Sequence, residues 1–172
     1  MDNCRPGHDM VIVVMGPAAS GKTTVGRALA ERLGWTFVDA DDHHSPANLA
    51  KIATGTPLTE NDRAGWLTIL HGIVERSVER REPTVLACSG LTSHHRQRIS
   101  GDLRGIRFVY LRVPREILRE RLRARRGHVA KETLLDSQLA TFEDPGGEVA
   151  LVLDGTASID TLVGHVRLEL GV

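Results

Sequence analysis

The chain has 172 residues, which suits a single domain, because a chain of this length buries roughly 70% of the surface that its unfolded form exposes. Lys plus Arg and Asp plus Glu both total 22, so the chain has no net charge that would attract nucleic acid or an anionic membrane. We expect neither as a partner. The two cysteines fit no disulfide, zinc or redox spacing, and the apolar stretch 10–15 is too short for a signal peptide or a membrane span. We therefore expect a cytoplasmic protein whose residues 1–9 form a loose tail.

Along the chain, short β-branched and apolar runs alternate with longer helical patterns. This alternation is typical of βαβ units, and it predicts an α/β fold with a five-stranded parallel sheet and helices on both faces. The runs that predict strands are mostly apolar, as parallel strands covered on both faces should be. They are residues 11–15, 36–39, 84–88, 107–113 and 149–153.

The residues directly after the first strand are a full match to the P-loop pattern G-x-x-x-x-G-K-[ST]. They read Gly16-Pro17-Ala18-Ala19-Ser20-Gly21-Lys22-Thr23, and a helical pattern follows. Glycines let backbone N–H groups converge on phosphates, and the helix N-terminus adds a positive dipole end. We predict that this segment and Thr24 bind ATP, that Lys22 reaches the β- and γ-phosphates, and that the Thr23 hydroxyl binds Mg²⁺. A P-loop alone also fits a GTPase, a motor or a larger ATPase, and a glycine turn without a ligand is the alternative.

The second strand ends in two carboxylates, Asp39 and Asp41, at the sheet edge where open α/β sheets bind ligands. Because strand residues two apart point the same way, these carboxylates are expected to share a face. One can take a proton from an attacking hydroxyl while the other orients magnesium-bound water. The alternative is a solvated acidic turn that caps the next helix.

Other predicted elements follow from local signals. Thr59 is a predicted N-cap, and Pro114 stands where another helix would begin. The acidic stretch 143–148 is predicted to be a surface loop. The helix after Thr59 is expected to pack on the sheet through Trp66, Ile69, Leu70, Ile73 and Val74.

Several motifs, spread in order from about Val11 to Leu153, resemble the gluconate kinase (gluconokinase) family. They are Asp39-Ala40-Asp41, His44-Ser45-Pro46-Ala47-Asn48, Lys51, Gly55-Thr56-Pro57-Leu58-Thr59, Asp62-Arg63, Trp66-Leu67, Cys88-Ser89, Arg126-Gly127-His128 and Leu134-Leu135-Asp136-Ser137-Gln138. The resemblance implies ATP-dependent phosphorylation of a sugar acid hydroxyl, most specifically gluconate to 6-phosphogluconate. It also implies a three-layer, nucleoside-monophosphate-kinase-like fold that is commonly a homodimer.

The resemblance also implies roles for individual residues. Asp41 is the expected catalytic base, which leaves Asp39 and Thr23 as the expected metal ligands. Arg63 is expected to bind the carboxylate of the acceptor, a task that suits a bidentate guanidinium. The other residues expected to contact the acceptor are His44, Ser89, His128 and Gln138. For Arg63, a surface salt bridge with Asp62 or Glu60 is the commoner alternative.

An arginine cluster follows Pro114 and is expected to belong to a mobile lid over about residues 120–142. Its members are Arg119, Arg121, Arg123, Arg125 and Arg126. In kinases of this kind such arginines stabilise charge that develops on the phosphates, and we assign that catalytic role to Arg123. One or two of the five are expected to contact ATP. The alternatives are a solvated basic face or a nucleic-acid patch, and the lack of interleaved aromatic residues argues against RNA.

The match fails after the third strand, where the family pattern is Cys-Ser-Ala-Leu-Lys-Arg/Lys-x-Tyr-Arg-Asp. Thr92, Ser93 and His95 stand at its two cations and its tyrosine, and Val129, Ala130 and Leu139 replace further expected residues. A less cationic pocket could accept a different polyol or acid. Shikimate kinase is the rival enzyme, although its expected Gly-Gly-Gly turn is here Cys88-Ser89-Gly90, and a nucleotide-binding module without turnover is a third reading.

Overall fold

The computed structural model describes residues 10–124 and 128–172, with the backbone alone at 128–131 and 148. Within these residues one sheet of five parallel strands has the order β2-β3-β1-β4-β5. The strands are β1 (Val11–Met15), β2 (Thr36–Asp39), β3 (Thr84–Cys88), β4 (Ile106–Arg112) and β5 (Ala150–Asp154). The predicted parallel sheet and α/β fold are therefore confirmed.

Helices connect the strands, and the two helix starts predicted at Thr59 and Pro114 are confirmed. Thr59 caps its helix with a reciprocal capping box: its side chain accepts from the Asp62 N–H, and the Asp62 carboxylate accepts from the Thr59 N–H. The helices are α1 (Lys22–Leu33), α2 (Pro46–Ala53), α3 (Glu60–Arg80), α4 (Ser93–Ser100), α5 (Arg115–Arg123), α6 (His128–Thr141), α7 (Gly146–Val149) and α8 (Ile159–Leu170), with a 3-10 helix at Ala40–His43.

The core has two halves, one on each face of the sheet. Successive residues of β1 alternate between them, as side chains of a strand must. Ile12 and Val14 pack in a cluster with apolar residues of α1 and α8, such as Leu29 and Val163. Val11 and Val13 pack in a second cluster with α3 and α4. The result is the expected three-layer arrangement, with helices covering both faces of the sheet.

Three details of the predicted elements are wrong. The last two strands are each displaced by one residue, β4 because its pairing starts at Ile106 opposite Val11, and β5 because its pairing ends at Asp154 opposite Arg112. The stretch predicted as a surface loop contains α7, whose first N–H, at Gly146, is held by the Asp144 carboxylate. Ile69 is 48% exposed, because the buried stripe of α3 runs through Trp66, Leu67, Leu70 and Val74.

Two helices that overlap the predicted lid region, α5 and α6, pack beside the loop that follows β1. Leu118 and Leu122 of α5 and Leu135 of α6 are buried together with Ala19. Asp136 of α6 binds Arg115 and Arg119 of α5 at 2.8 and 2.9 Å. This pair of helices therefore borders the P-loop. Whether it moves as a lid stays a prediction. No helix in the described ranges is long and apolar enough to cross a membrane.

Candidate active site

The P-loop joins β1 to α1 through a tightly folded turn. Gly16 has no room for a side chain, because a Cβ there would lie 2.6 Å from the Ser20 hydroxyl oxygen. Gly21 has a φ of 97° and Ala19 a φ of 65°, a left-handed conformation that is uncommon for alanine. The Ser20 hydroxyl is buried with no hydrogen-bond partner in the part of the chain that the structure describes. A strained turn with an unpaired buried polar atom fits a segment built to receive a polar ligand.

The two helices beside the P-loop hold it through its backbone. The Arg121 guanidinium donates to the carbonyl oxygens of Ala19 and Ser20, each at 3.3 Å, and to that of Gly155 at 3.0 Å. The side-chain oxygen of Gln138 accepts from the Ala18 N–H at 2.7 Å. An arginine from the predicted cluster therefore contacts the P-loop itself.

Thr23 and Asp39 are in direct contact at the start of α1. The Thr23 hydroxyl donates to one oxygen of Asp39 at 2.9 Å, and the other Asp39 oxygen accepts from the Asp41 N–H at 3.1 Å. Asp39 therefore also caps the 3-10 helix, and its role as a metal ligand stays a prediction. The described residues contain no group of three or more His, Cys, Asp or Glu placed to hold a metal ion. Two hard oxygen donors beside a P-loop fit Mg²⁺, which keeps waters and phosphate oxygens as its other ligands.

A cavity of about 160 Å³ opens next to Lys22. It brings together six polar or charged residues that the sequence assigned to the site, from five different parts of the chain: Lys22, Asp41, His44, Arg63, Ser89 and Gln138. Apolar and aromatic side chains complete its wall: Ala18, Leu49, Ile52, Leu58, Trp66, Leu91 and Leu134. The cavity thus combines apolar surface with a few convergent polar groups, as small-molecule sites do.

Trp66 organises one wall of this cavity. Its indole N–H donates to the carbonyl oxygen of buried Ala40 at 2.7 Å, and its ring stacks on His44 with centroids 4.5 Å apart. His44 in turn lies 4.0 Å from an oxygen of Asp41, whose side chain is 64% exposed. Burial lowers the pKa of His44, more than the neighbouring Asp41 raises it. A neutral imidazole carries no charge to pair with the accessible Asp41 carboxylate.

Arg63 contributes a second cationic group to the cavity, in addition to Lys22. Its side chain is only 15% exposed, and it donates to Glu60 at 3.0 Å. The same Glu60 carboxylate contacts the Nε2 atom of buried His95 at 2.9 Å. Arg63 therefore makes the surface-type ion pair considered from the sequence and also lines the cavity. Asp62 does not pair with it, because both Asp62 oxygens bind the Lys51 ammonium at 2.8 Å.

Comparison with known proteins gives a consistent answer. A family model described as an AAA domain matches residues 11–145. The gluconokinase of Gluconobacter oxydans is 43% identical over 141 residues, which cover 82% of this chain and 79% of that protein. The chain belongs to the gluconokinase family. A crystal structure of a gluconokinase from Sinorhizobium meliloti superimposes with a TM-score of 0.83 at 37% identity, covering 95% and 93% of the two chains.

A shikimate kinase from Bacteroides thetaiotaomicron shares the fold, with a TM-score of 0.69 over 95% of this chain and 99% of that one. Its identity of 20% supports the likeness of fold alone. The three-layer kinase fold inferred from the resemblance to gluconokinases is thereby confirmed, and the sequence-based choice of gluconokinase over shikimate kinase agrees with the higher identities.

Three positions that depart from the gluconokinase pattern have structural roles in this chain. Thr92 caps α4, its hydroxyl accepting from the His95 N–H at 3.1 Å. The Ser93 N–H donates to the Glu143 carboxylate at 2.7 Å. His95 is buried against Glu60. The two lost cations are thus replaced by residues that start a helix, and the lost tyrosine by an imidazole.

Two other described arginines of the cluster bind carboxylates and make no hydrogen bond with the P-loop. Arg119 binds Asp136, and exposed Arg123 binds Glu132 of α6 at 3.1 Å. Among the described residues that line the cavities beside the P-loop, Arg121 is present and Arg123 is not. The catalytic role of Arg123 stays a prediction. Arg125, Arg126, Gly127 and the side chain of His128 lie outside the described residues.

A second cavity, of about 210 Å³, lies on the P-loop near α8. Thr24 lines it, together with Arg121 and residues of the segment after β5, such as Gly155 and Ala157. Sequence reasoning missed this segment. The signal that could have indicated it is the glycine directly after the last strand. A side chain does not fit there, because a Cβ at Gly155 would lie 2.5 Å from the Val113 side chain.

Proposed function

We propose that this chain transfers the γ-phosphoryl group of ATP to the terminal hydroxyl of gluconate, giving 6-phosphogluconate and ADP. The observation that carries the proposal is the cavity in which Lys22, Asp41 and Arg63 lie together. These side chains supply an ammonium for phosphate oxygens, a carboxylate for the hydroxyl proton and a guanidinium for an acidic acceptor. Membership of the gluconokinase family supports gluconate as that acceptor.

ATP is proposed to bind along the P-loop, with its phosphates against the backbone amides of residues 16–24. The second cavity, on the side of the loop near α8, provides space for the nucleoside. Thr23 and Asp39 would hold Mg²⁺, which when bound neutralises charge on the β- and γ-phosphate oxygens. Lys22, which makes no ion pair with a described residue, is free to reach the same oxygens.

Gluconate is proposed to occupy the cavity between Asp41 and Arg63. As the acceptor oxygen forms a bond to the γ-phosphorus, its proton passes to Asp41, and the bond from that phosphorus to the bridging oxygen of ADP breaks. Arg63 holds the carboxylate at the other end of the acceptor, which fixes the distance of the reacting hydroxyl from Asp41. Ser89 and Gln138 line the cavity and offer hydrogen bonds to the remaining hydroxyl groups.

The acceptor is tested by ADP release, measured with a coupled enzyme assay across gluconate, other sugar acids, neutral polyols and shikimate. We expect the highest kcat/KM with gluconate. Preference for a neutral polyol would contradict the assignment of Arg63 to an acceptor carboxylate. Preference for shikimate, which also has a carboxylate, would contradict gluconate as the acceptor. ATP binding without turnover on any compound would instead support a nucleotide-binding module.

The base is tested by Asp41→Asn, with Asp42→Asn as the matched control. Asp42 is the exposed neighbour in the same 3-10 helix and does not line the acceptor cavity. Asp41→Asn should lower kcat by roughly two to four orders of magnitude and leave ATP affinity nearly intact, because general-base catalysis contributes about that much. A near-normal rate in Asp41→Asn, or an equal loss in Asp42→Asn, would place the base elsewhere.

A further inference from the structure

The acceptor cavity is flanked by a three-residue charge cluster that joins α3 to α4. Glu60 is the first residue of α3, Arg63 lies one turn later, and His95 lies in the first turn of α4. Both Glu60 oxygens contact His95 Nε2, at 2.9 and 3.1 Å, and one of them also accepts from Arg63 at 3.0 Å. One carboxylate is therefore shared between the Arg63 guanidinium and a buried imidazole.

Two of the three side chains, those of Arg63 and His95, are largely buried, and that of Glu60 is exposed. The His95 side chain is 3% exposed and that of Glu60 is 62% exposed. Glu60 is thus a surface carboxylate that is fixed in place by two partners from the interior. Its hydrogen bond with Arg63 involves one terminal nitrogen of the guanidinium, and the other nitrogens make no hydrogen bond with the described residues. Those donors remain for an anionic acceptor.

The charge of the cluster depends on His95. With a neutral imidazole, Glu60 and Arg63 sum to zero, so the approaching carboxylate of a sugar acid meets a cation that already has a counter-ion. With a protonated imidazole the sum is +1, because Glu60 then neutralises His95 and leaves Arg63 uncompensated. An anionic acceptor is held more firmly in the second case, whereas a neutral polyol is nearly indifferent to the difference.

We propose that Glu60 and His95 set the charge of the acceptor-carboxylate subsite, and that protonation of His95 tightens the binding of anionic acceptors. This inference rests on the proposed function, in which Arg63 binds the carboxylate of gluconate. His95 acts as a positioning and charge-setting residue through Glu60, without touching the substrate. It stands where the gluconokinase pattern has a tyrosine, a side chain that does not titrate in this pH range.

The surroundings of His95 agree with a neutral resting state. The charged and titratable groups that face it are Glu60 and Arg63 from α3, His94 from its own helix and Glu143 from the segment after α6. Burial lowers the pKa of His95 and outweighs the hydrogen bond to Glu60, which raises it. Protonation is therefore expected below the ordinary histidine pKa of about 6.5.

The test is the affinity of gluconate, measured by calorimetry between about pH 5 and pH 8, with the parent, His95→Gln and Glu60→Gln. Gluconate stays ionised over this range, since carboxyl groups titrate at about pH 4. We expect the parent to bind roughly three- to tenfold more tightly at the acidic end. His95→Gln keeps a donor for Glu60 but cannot gain a proton, so its affinity should stay at the parent's weak, alkaline value.

Glu60→Gln removes the counter-ion of Arg63, so its affinity should stay at or above the parent's tight, acidic value at every pH. A neutral polyol should bind with little pH dependence in all three proteins. A parent-like pH slope in His95→Gln would assign the effect to another group, such as His44, and overturn the proposal. Weaker binding by Glu60→Gln at all pH values would also overturn it. If His95→Gln does not fold, Glu60→Gln alone decides.

These outcomes are distinct from failure of the proposed function. A parent that phosphorylates gluconate but binds it equally well at all pH values contradicts only the charge-setting role. A parent that neither binds nor phosphorylates any sugar acid contradicts the proposed function itself.

Discussion

Replacing Trp66 with phenylalanine removes the indole N–H that donates to the Ala40 carbonyl and keeps an aromatic ring beside His44. Ala40 is fully buried and opens the 3-10 helix that presents Asp41. The substitution therefore leaves a buried carbonyl without its partner, which costs about 1–3 kcal/mol. In a chain of this length each kcal/mol lowers Tm by roughly 2–4 °C, so a central loss of about 2 kcal/mol predicts a fall in Tm of about 4–8 °C.

Turnover should fall as well, because the freed 3-10 helix no longer fixes Asp41. Misplacement of a catalytic group by about 1 Å can cost on the order of a hundredfold, and we expect kcat to drop roughly 10- to 100-fold in Trp66→Phe. Tm is measured by differential scanning calorimetry and kcat by ADP release. Trp35→Phe is the matched control, since Trp35 is partly buried in the cluster on the opposite face of the sheet and its side chain makes no hydrogen bond with a described residue.

The reasoning would be refuted if Trp66→Phe had the Tm and kcat of the parent, or if Trp35→Phe lost as much activity as Trp66→Phe. A loss of Tm without a loss of kcat would show that the hydrogen bond stabilises the fold but does not position Asp41.

Three further predictions concern groups around the site. The hydrogen bond from the Lys51 ammonium is the main cause that lowers the pKa of Asp62 to about 2. The stability that this carboxylate contributes is therefore complete above its ordinary pKa and is lost as the pH falls through about 2. Lys51→Met should therefore raise the pH at which acid unfolding begins, as followed by circular dichroism, and an unchanged acid midpoint would contradict this. Arg121→Lys should raise KM for ATP roughly tenfold or more, with little change in KM for the acceptor. The reason is that a lysine cannot span the three carbonyl oxygens that the guanidinium binds. Equal effects on both KM values would argue against a role of Arg121 at the P-loop. Burial raises the pKa of Cys88 to about 12, so its peptide should remain unlabelled by iodoacetamide in native protein at pH 8 and become labelled after unfolding; rapid native labelling would disprove its burial.

The fold was largely predictable because its signals are local. The P-loop motif directly follows an apolar strand, and the alternation of strand and helix patterns fixes a parallel sheet. Most acceptor-side residues were found through motifs that resemble gluconokinases. The rotation of α3 was less predictable: Ile69 fits a helical repeat, and only the packing of Leu67 against the sheet shows which side of the repeat is buried.

Contacts between distant segments could not be predicted from the sequence. Arg121 binds carbonyls of residues about a hundred positions earlier in the chain, and helical spacing gave no reason to prefer it over Arg123. The shared carboxylate of Glu60 likewise depends on α4 lying against α3, a packing that brings residues 35 positions apart into contact. Homodimer formation, a cytoplasmic location and the motion of a lid remain predictions.

The most direct test of the proposed reaction is phosphorus NMR of the folded protein incubated with ATP, Mg²⁺ and gluconate. The account predicts that the γ-phosphate signal of ATP is replaced by a phosphomonoester split by the protons of a CH₂ group, as ADP accumulates. It also predicts that this signal is absent over the same period with Asp41→Asn. A spectrum in which ATP yields only inorganic phosphate, or remains unchanged, would contradict it.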